Sequence, residues 1–314
     1  MKEKETKVLE RFIQDINRDP ELTDAQKQMI LKNVLKLKEQ KVNLLLVGPT
    51  GCGKSSTINA LFGVTVAKVG NLDPETMGIV RYDLENLILW DSPGLGDSPE
   101  QDRRHCQKII DKLHETDSQG NALIDLVMVI VDGSTRDMGT VYELINDTII
   151  PNLQKGENIL VAINQCDMAL KGDGWDPVKL LPDANLLKFL DSKVESVKRR
   201  VLEATGKTID PIFYSAKYKF NISKLLAYIL RNTRDEKRLV IAENMNQDKS
   251  VYKRDDGRED YKKEVKDKTG RCLKNAASGA ALGGVVGAAI GGPVGAAIGT
   301  AVGAAIGFFG SLFD

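Results

Sequence analysis

The stretch Gly48-Pro49-Thr50-Gly51-Cys52-Gly53-Lys54-Ser55 restricts what this chain can fold into more than any other. It fits the pattern G-x-x-x-x-G-K-[ST] and stands between two segments of different periodicity. Before it, Val42-Asn43-Leu44-Leu45-Leu46-Val47 is an apolar run of the kind a buried parallel strand shows. After it, Ser56-Thr57-Ile58-Asn59-Ala60-Leu61-Phe62 reads as a helix. A strand, a glycine-rich turn and a helix in that order curl successive backbone N–H groups around a phosphate chain, at the positive end of the helix. Lys54 is then placed for β- and γ-phosphates and Ser55 for Mg²⁺. Gly48, Pro49, Thr50, Gly51, Cys52, Gly53 and Ser56 complete the cradle.

The same alternation continues from Lys41 to Arg234. Strands are predicted at 42–47, 79–84, 87–91, 123–131, 158–163 and 211–214, and helices at 54–62, 99–116, 139–150, 184–204 and 221–233. Such a pattern gives an α/β fold, a mainly parallel six-stranded sheet with helices on both faces. Only Glu85-Asn86 separates 79–84 from 87–91, so those two strands are expected to form an antiparallel hairpin.

Four segments follow from this reading: N-terminal helices over 1–40, the nucleotide domain over 41–234, a charged linker over 235–274 and a glycine-rich membrane segment over 275–314. In the first, Val8, Leu9, Phe12, Ile13 and Ile16 recur at helical spacing, as do Met29, Ile30, Val34 and Leu37 beyond Pro20. These stripes are expected to pack on the domain that follows, with a dimerising or partner-binding arm as the other option. Residues 235–274 lose periodicity. Within 249–274 ten Lys/Arg stand against six Asp/Glu, which reads as a mobile or weakly helical connection.

After Lys274 no charged residue occurs until Asp314. Gly279, Gly283, Gly287, Gly291, Gly295, Gly299, Gly303 and Gly307 recur every four residues among Ala, Val and Ile. A ladder of this kind lets helix backbones approach closely in lipid. Pro293 divides it into halves of roughly 17 residues, about 26 Å each, close to a bilayer's apolar thickness. The expectation is a helical hairpin with both ends on the cytosolic side. A flexible linker would be rich in Gly and Ser instead.

The formal net charge of zero gives no bulk electrostatic partner such as nucleic acid. Cys52, Cys106, Cys166 and Cys272 are scattered without a C-x-x-C pair, which suits a reducing cytosol and supplies no metal framework. The mixed-charge start, Met1-Lys2-Glu3-Lys4-Glu5, lacks the apolar core of a secretory signal. His105 and His114 lie in a polar helical stretch and are expected at the solvated surface.

Asp91-Ser92-Pro93-Gly94 ends the strand Leu87-Ile88-Leu89-Trp90. An Asp there holds Mg²⁺ through water, and the Gly94 N–H meets a γ-phosphate. Thr76, in the polar loop Asp73-Pro74-Glu75-Thr76, is the preferred hydroxyl for completing the Mg²⁺ shell, with Thr65 as its competitor. The base is read further on. Asn164-Gln165-Cys166-Asp167 and Ser215-Ala216-Lys217 each end a strand. The Asp167 carboxylate accepts from guanine N1–H and the exocyclic amine, which adenine does not offer. The Ala216 N–H is expected to donate to guanine O6.

These five motifs, in order over residues 42–217, resemble the translation-factor class of GTPases in its Era-like branch. The run over 48–63 is similar to bacterial relatives of the immunity-related and chloroplast-import GTPases. The resemblance implies binding of GTP and GDP, Mg²⁺-dependent hydrolysis and ordering of the switch loops by the γ-phosphate. Three positions depart from the pattern. Gln165 replaces the Lys of Asn-Lys-x-Asp. Leu95 stands where Ras-like proteins have a water-orienting Gln. Gly51 stands where potassium-dependent members have Asn.

The expected protein is a slow GTPase on the cytosolic side, membrane-associated through its tail. Its nucleotide state would govern membrane action or assembly into a homodimer or oligomer. Lys54, Thr76 and Gly94 would serve the hydrolytic step, and Ser55, Thr76 and Asp91 the metal. A GTP-regulated ribosome or RNA factor is one alternative, without an RNA-binding module in support of it. A membrane-perturbing effector with GTP as its switch is the other.

Overall fold

The computed structural model describes residues 7–64, 78–136, 138–279 and 292–314. Strand β1 (Val42–Val47) is buried along its whole length and pairs in parallel with two neighbours. Across Glu85-Asn86, β2 (Val80–Leu84) and β3 (Leu87–Asp91) form the expected antiparallel hairpin, with Glu85 turning at φ +41°. With β4 (Leu126–Asp132), β5 (Asn158–Asn164) and β8 (Ile212–Phe213) they make a six-stranded sheet in the order β2-β3-β1-β4-β5-β8. Every pair except the hairpin is parallel. A separate ribbon of β6 (Trp175–Asp176) and β7 (Leu181–Pro182), not foreseen in the sequence, lies between β5 and β8 in the chain.

Residues of β1 alternate between two cores, because successive side chains of a strand point to opposite faces. Leu44 and Leu46 join the core under α3 (Lys54–Phe62) and α7 (Ile222–Asn232). Leu45 and Val47 join the core under α4 (Pro99–Leu113), α5 (Gly139–Glu143) and α6 (Ala184–Thr205). Beyond Glu143 the α5 helix widens into a π-helical turn over Leu144–Ile149 before Pro151 ends it. The parallel register brings the carboxyl ends of β1, β4 and β5 to one edge, with Asp132 opposite Asn164. Ligands of open α/β sheets bind at such an edge.

The N-terminal helices α1 (Val8–Arg18) and α2 (Asp24–Leu35) bury most of their stripes within the chain, Met29 staying exposed, and Thr23 closes a capping box on Gln26. Phe12, Ile16, Ile30 and Val34 are completely buried. Much of what covers α1 and α2 comes from the C-terminal region.

The segment expected as a mobile linker is folded. It contains α8 (Arg238–Asn244) and α9 (Tyr261–Ala277), the latter started by an Asp260 side chain that accepts from the Lys263 N–H. Tyr261, Val265, Cys272, Leu273 and Ala276 recur along one face of α9 and are buried. Lysines on the other faces conceal that stripe in any count of charge. Arg231 ties α7 to α9 through Glu264 at 2.6 Å, and Arg258 forms a two-pronged pair with Asp191 of α6.

The apolar tail gives α10 (Gly292–Gly310), with Pro293 in its first turn, where a missing N–H does no harm. Gly283, Gly287 and Gly291 lie outside the described residues. The expected hairpin between the two halves of the ladder falls largely on residues 280–291, outside the described residues; within them, α10 lies against α1 and α9. Ala297, Ala301 and Ala305 are buried there, whereas Gly299, Gly303 and Gly307 face open space. Among the described residues Gly292–Phe313 is the one helix long and apolar enough to cross a membrane.

Candidate functional site

The phosphate loop leaves β1 at Gly48, where a Cβ would fall 2.2 Å from the Ile130 carbonyl oxygen. Gly53 has φ +93° and precedes α3 with no side chain capping the helix, so amides of the first turn are open to an anion. A Cβ on Gly53 would sit 2.3 Å from Asn164 Nδ2. Gly48 thus lets the β4 backbone come close to the loop, and Gly53 the Asn164 side chain. Lys54 Nζ donates to the Gly48 and Pro49 carbonyls at 3.1 and 3.2 Å, spanning the loop from within. Beneath α3, Thr57 Oγ1 donates to the Gly53 carbonyl at 2.8 Å and meets Tyr214 Oη at 2.6 Å. Cys52 is buried, and burial pushes its thiol up to about 11, so it stays protonated in the cradle.

The Ser55 hydroxyl donates to Asp91 Oδ2 at 3.4 Å. The other carboxylate oxygen, Asp91 Oδ1, is buried without a hydrogen-bond partner. Burial raises the Asp91 carboxyl above its ordinary range, against the pull of Lys54 and Ser55. An orphaned acidic oxygen beside a hydroxyl and a phosphate cradle fits Mg²⁺, which keeps few protein ligands and shares phosphate oxygens. Among the described residues no cluster of three His, Cys, Asp or Glu offers a closed metal cage. Thr76 and Thr65 lie outside the described residues.

At the far end of the loop, Asp167 is 3% exposed and its Oδ1 has no hydrogen-bond partner, as a carboxylate kept for a base would be. Asn164 binds the motifs together. Its Nδ2 donates to the Cys52 carbonyl at 2.9 Å and its Oδ1 accepts from the Ala216 N–H at 3.0 Å. The Ala216 amide expected to meet guanine O6 is therefore already engaged by Asn164. Gln165 stands at φ +56° and donates from Nε2 to the Gly51 carbonyl at 2.7 Å. Its short neutral side chain thus still spans from the base motif to the phosphate loop.

The Ser215-Ala216-Lys217 turn is held by Ser215 Oγ, which accepts from the Tyr218 N–H at 3.2 Å. Behind it, Trp175 of β6 lies against Tyr218 and Phe220, with ring centres 5.4 and 5.7 Å apart. Sequence reading missed this aromatic support, because one Trp in a loop has no periodicity to report it.

Gly94 crosses directly over the loop. A Cβ there would lie 2.2 Å from Thr50 Oγ1 and 2.6 Å from Thr50 Cα. Thr50 N–H donates to the Leu95 carbonyl at 2.9 Å, and Leu95 N–H to the Gly48 carbonyl at 3.4 Å. The Leu95 side chain turns away into the core beside Val47 and Ile109. His105, expected at the surface, is 5% exposed, and its Nδ1 lies 3.0 Å from the Gly94 carbonyl. The helical face that carries Ile109 and Leu113 also turns His105 inward. His114 is exposed, as expected.

Residues 43–165 match the family described as 50S ribosome-binding GTPase. They form a P-loop GTPase domain. An uncharacterised protein of Methanocaldococcus jannaschii is 27% identical over 210 residues, covering 62% of this chain and 98% of that one. The tRNA modification GTPase MnmE of Marinomonas sp. is 26% identical over 150 residues, 46% of this chain and 31% of its own length. This chain therefore spans about a third of that relative. Among solved structures, Aquifex aeolicus Era bound to GDP and AlF4⁻ is 20% identical, with a TM-score of 0.38 over 62% of this chain and 57% of that one.

The domain belongs to the GTP-hydrolysing enzymes and works with GTP, GDP and Mg²⁺. When bound, Mg²⁺ would supply positive charge to the phosphates, and Ser55 and Asp91 would be the residues to hold it. The α3 amides and Lys54 would oppose the charge that builds on the phosphates as water attacks in line. The Gly94 N–H would address the γ-phosphate end, and Asp167 the base.

Proposed function

We propose that this is a slow, Era-like GTPase whose nucleotide state controls whether α10 stays docked on α1 and α9 or enters a membrane. The observation that carries this reading is the path from α3 to the tail. Asn246 Nδ2 donates to the Asn59 and Ala60 carbonyls at the end of α3, at 3.2 and 3.1 Å. Tyr252 Oη donates to the Asn246 carbonyl at 2.7 Å, and the Tyr252 ring meets Phe313 edge-on at 5.2 Å. Phe313 in turn packs on Phe309 of α10 at 5.6 Å. The helix that starts at the phosphate loop thus ends two residues from the seat of the apolar tail. Slow turnover follows from Leu95, whose buried side chain offers the hydrolytic water nothing polar.

In lipid the α10 face bearing Gly299, Gly303 and Gly307 would allow close contact with a second copy of the helix. Lys262, Lys263, Lys266, Lys268, Arg271 and Lys274 precede it and favour an anionic surface by about 1 kcal/mol each when close to it. Flotation of the full-length protein with anionic vesicles, loaded with GDP or with a non-hydrolysable GTP analogue, tests this. Nucleotide-dependent partition into the lipid fraction is expected. Absence from that fraction in both states refutes it, and co-sedimentation with ribosomal subunits instead would favour the ribosome-factor reading.

A further inference from the structure

Three features of the switch segment call for a part that the phosphate loop and the base motif do not supply. Position 94 must be glycine, since a Cβ would strike Thr50 backbone at 2.6 and 2.8 Å. Glycine has the widest dihedral freedom of any residue, yet this one must aim its N–H at the γ-phosphate. The side chain that follows, Leu95, is committed to the core. Some other group has to fix the direction of the Gly94 peptide.

We propose that His105 is a positioning residue for GTP hydrolysis: by donating from Nδ1 to the Gly94 carbonyl it sets the orientation in which the Gly94 N–H meets the γ-phosphate. A carbonyl oxygen only accepts, so the 3.0 Å contact places the proton on His105 Nδ1. The next peptide link is held from both sides, by His105 at the carbonyl of Gly94 and by the Gly48 carbonyl at the N–H of Leu95. One turn earlier on α4, Asp102 Oδ1 accepts from the Gly96 N–H at 2.8 Å, at a glycine with φ +104°. Asp102 and His105 are three apart and share one face of the helix, so α4 grips the segment at alternate residues, 94 and 96. Ser98 caps α4 and Pro99 opens it, which anchors this grip just beyond the loop it holds. His105 acts in this arrangement through the Gly94 carbonyl.

The γ-phosphate is present in GTP and absent in GDP, so a fault in aiming Gly94 separates the two nucleotides. The test compares His105→Asn with His105→Leu in the full-length chain. Asn keeps an N–H donor close to the place of Nδ1, while Leu has similar volume and no donor. For His105→Leu a loss of about tenfold is expected in kcat and in affinity for a GTP analogue, the size of one lost hydrogen bond. GDP affinity should stay within about twofold, and His105→Asn should recover most of the kcat. A Leu variant with parental kcat and analogue affinity overturns the proposal. So does an equal loss of GDP and analogue binding in both variants alongside a lowered melting temperature, which marks His105 as packing alone.

Discussion

Asn164 is the residue whose removal should expose how the site is joined. It is 2% exposed and makes two hydrogen bonds at once, to the Cys52 carbonyl at 2.9 Å and from the Ala216 N–H at 3.0 Å. Asn164→Ala leaves both backbone groups buried and without that partner. Each such loss costs about 1–1.5 kcal/mol, so the nucleotide-free protein should lose roughly 2–3 kcal/mol. For a domain of this size that lowers the melting temperature by roughly 5–10 °C. GDP affinity should fall at least about tenfold, because Cys52 lies in the phosphate loop and Ala216 in the motif expected to read the base. Thermal unfolding without nucleotide and titration with a fluorescent GDP analogue read the two effects separately. A melting temperature within a degree of the parent would refute the reasoning, since it would mean that the tie contributes nothing. Asn164→Asp sharpens the comparison. It keeps the acceptor for Ala216 but turns a carboxylate oxygen toward the Cys52 carbonyl, so its deficit should exceed that of a simple lost bond and shrink as pH falls.

Asp167→Asn exchanges an unpartnered acceptor for an amide that suits xanthine, so preference should move toward xanthosine triphosphate by about 1–3 kcal/mol in a competition titration. Glu243, in α8, is raised above its usual range chiefly by burial, against the Leu9 N–H it accepts at 3.0 Å and the charge of Lys7. Its folded value lies above its unfolded one, so the stability it adds is complete only at low pH and is lost as pH rises through the folded value. Glu243→Gln should therefore raise the denaturation midpoint near pH 7 and lose that advantage near pH 4, and an advantage that grows on acidification would contradict it.

The nucleotide half of the fold was legible because its signals are local. Strand β1, the glycine loop and α3 are contiguous, and each has its own periodicity or composition. Gln165 and Leu95 are recognisable as departures in the sequence, but where their side chains go is not. That Gln165 still reaches the Gly51 carbonyl depends on a backbone at φ +56°, which no sequence pattern announces. Nothing in the sequence shows that Asn164 accepts from the Ala216 N–H. The helices α8 and α9 were hidden by composition. Ten cations within 249–274 obscured a regular stripe from Tyr261 to Ala276, which a helical-spacing test would have found. His105 reads as polar surface for the same reason, since its inward direction follows from Ile109 and Leu113 on the same face.

The seat of α10 turns on Gly270. This glycine lies inside α9, where it costs about 1 kcal/mol relative to Ala in helix propensity, so something must favour its small size. A Cβ added there would meet Ile306 Cγ1 at 3.2 Å and Val302 Cγ1 at 3.6 Å, both on α10. The first contact is tight, but it is with a flexible side chain that can shift by a few tenths of an ångström. Gly270→Ala should therefore be neutral or slightly stabilising, as the gain in propensity offsets the crowding. Gly270→Ile has no such margin. Its branched side chain must push Ile306 and Val302 aside, at about 1–3 kcal/mol for overpacking, and so drive α10 off its groove between α1 and α9. Thermal unfolding and vesicle flotation, run on both variants in the GDP state, measure docking and release together. The Ile variant should melt lower and float more than the parent, while the Ala variant should match the parent in flotation. If the Ile variant keeps the parent's melting temperature and flotation, the close approach of α9 and α10 does not hold the tail in place.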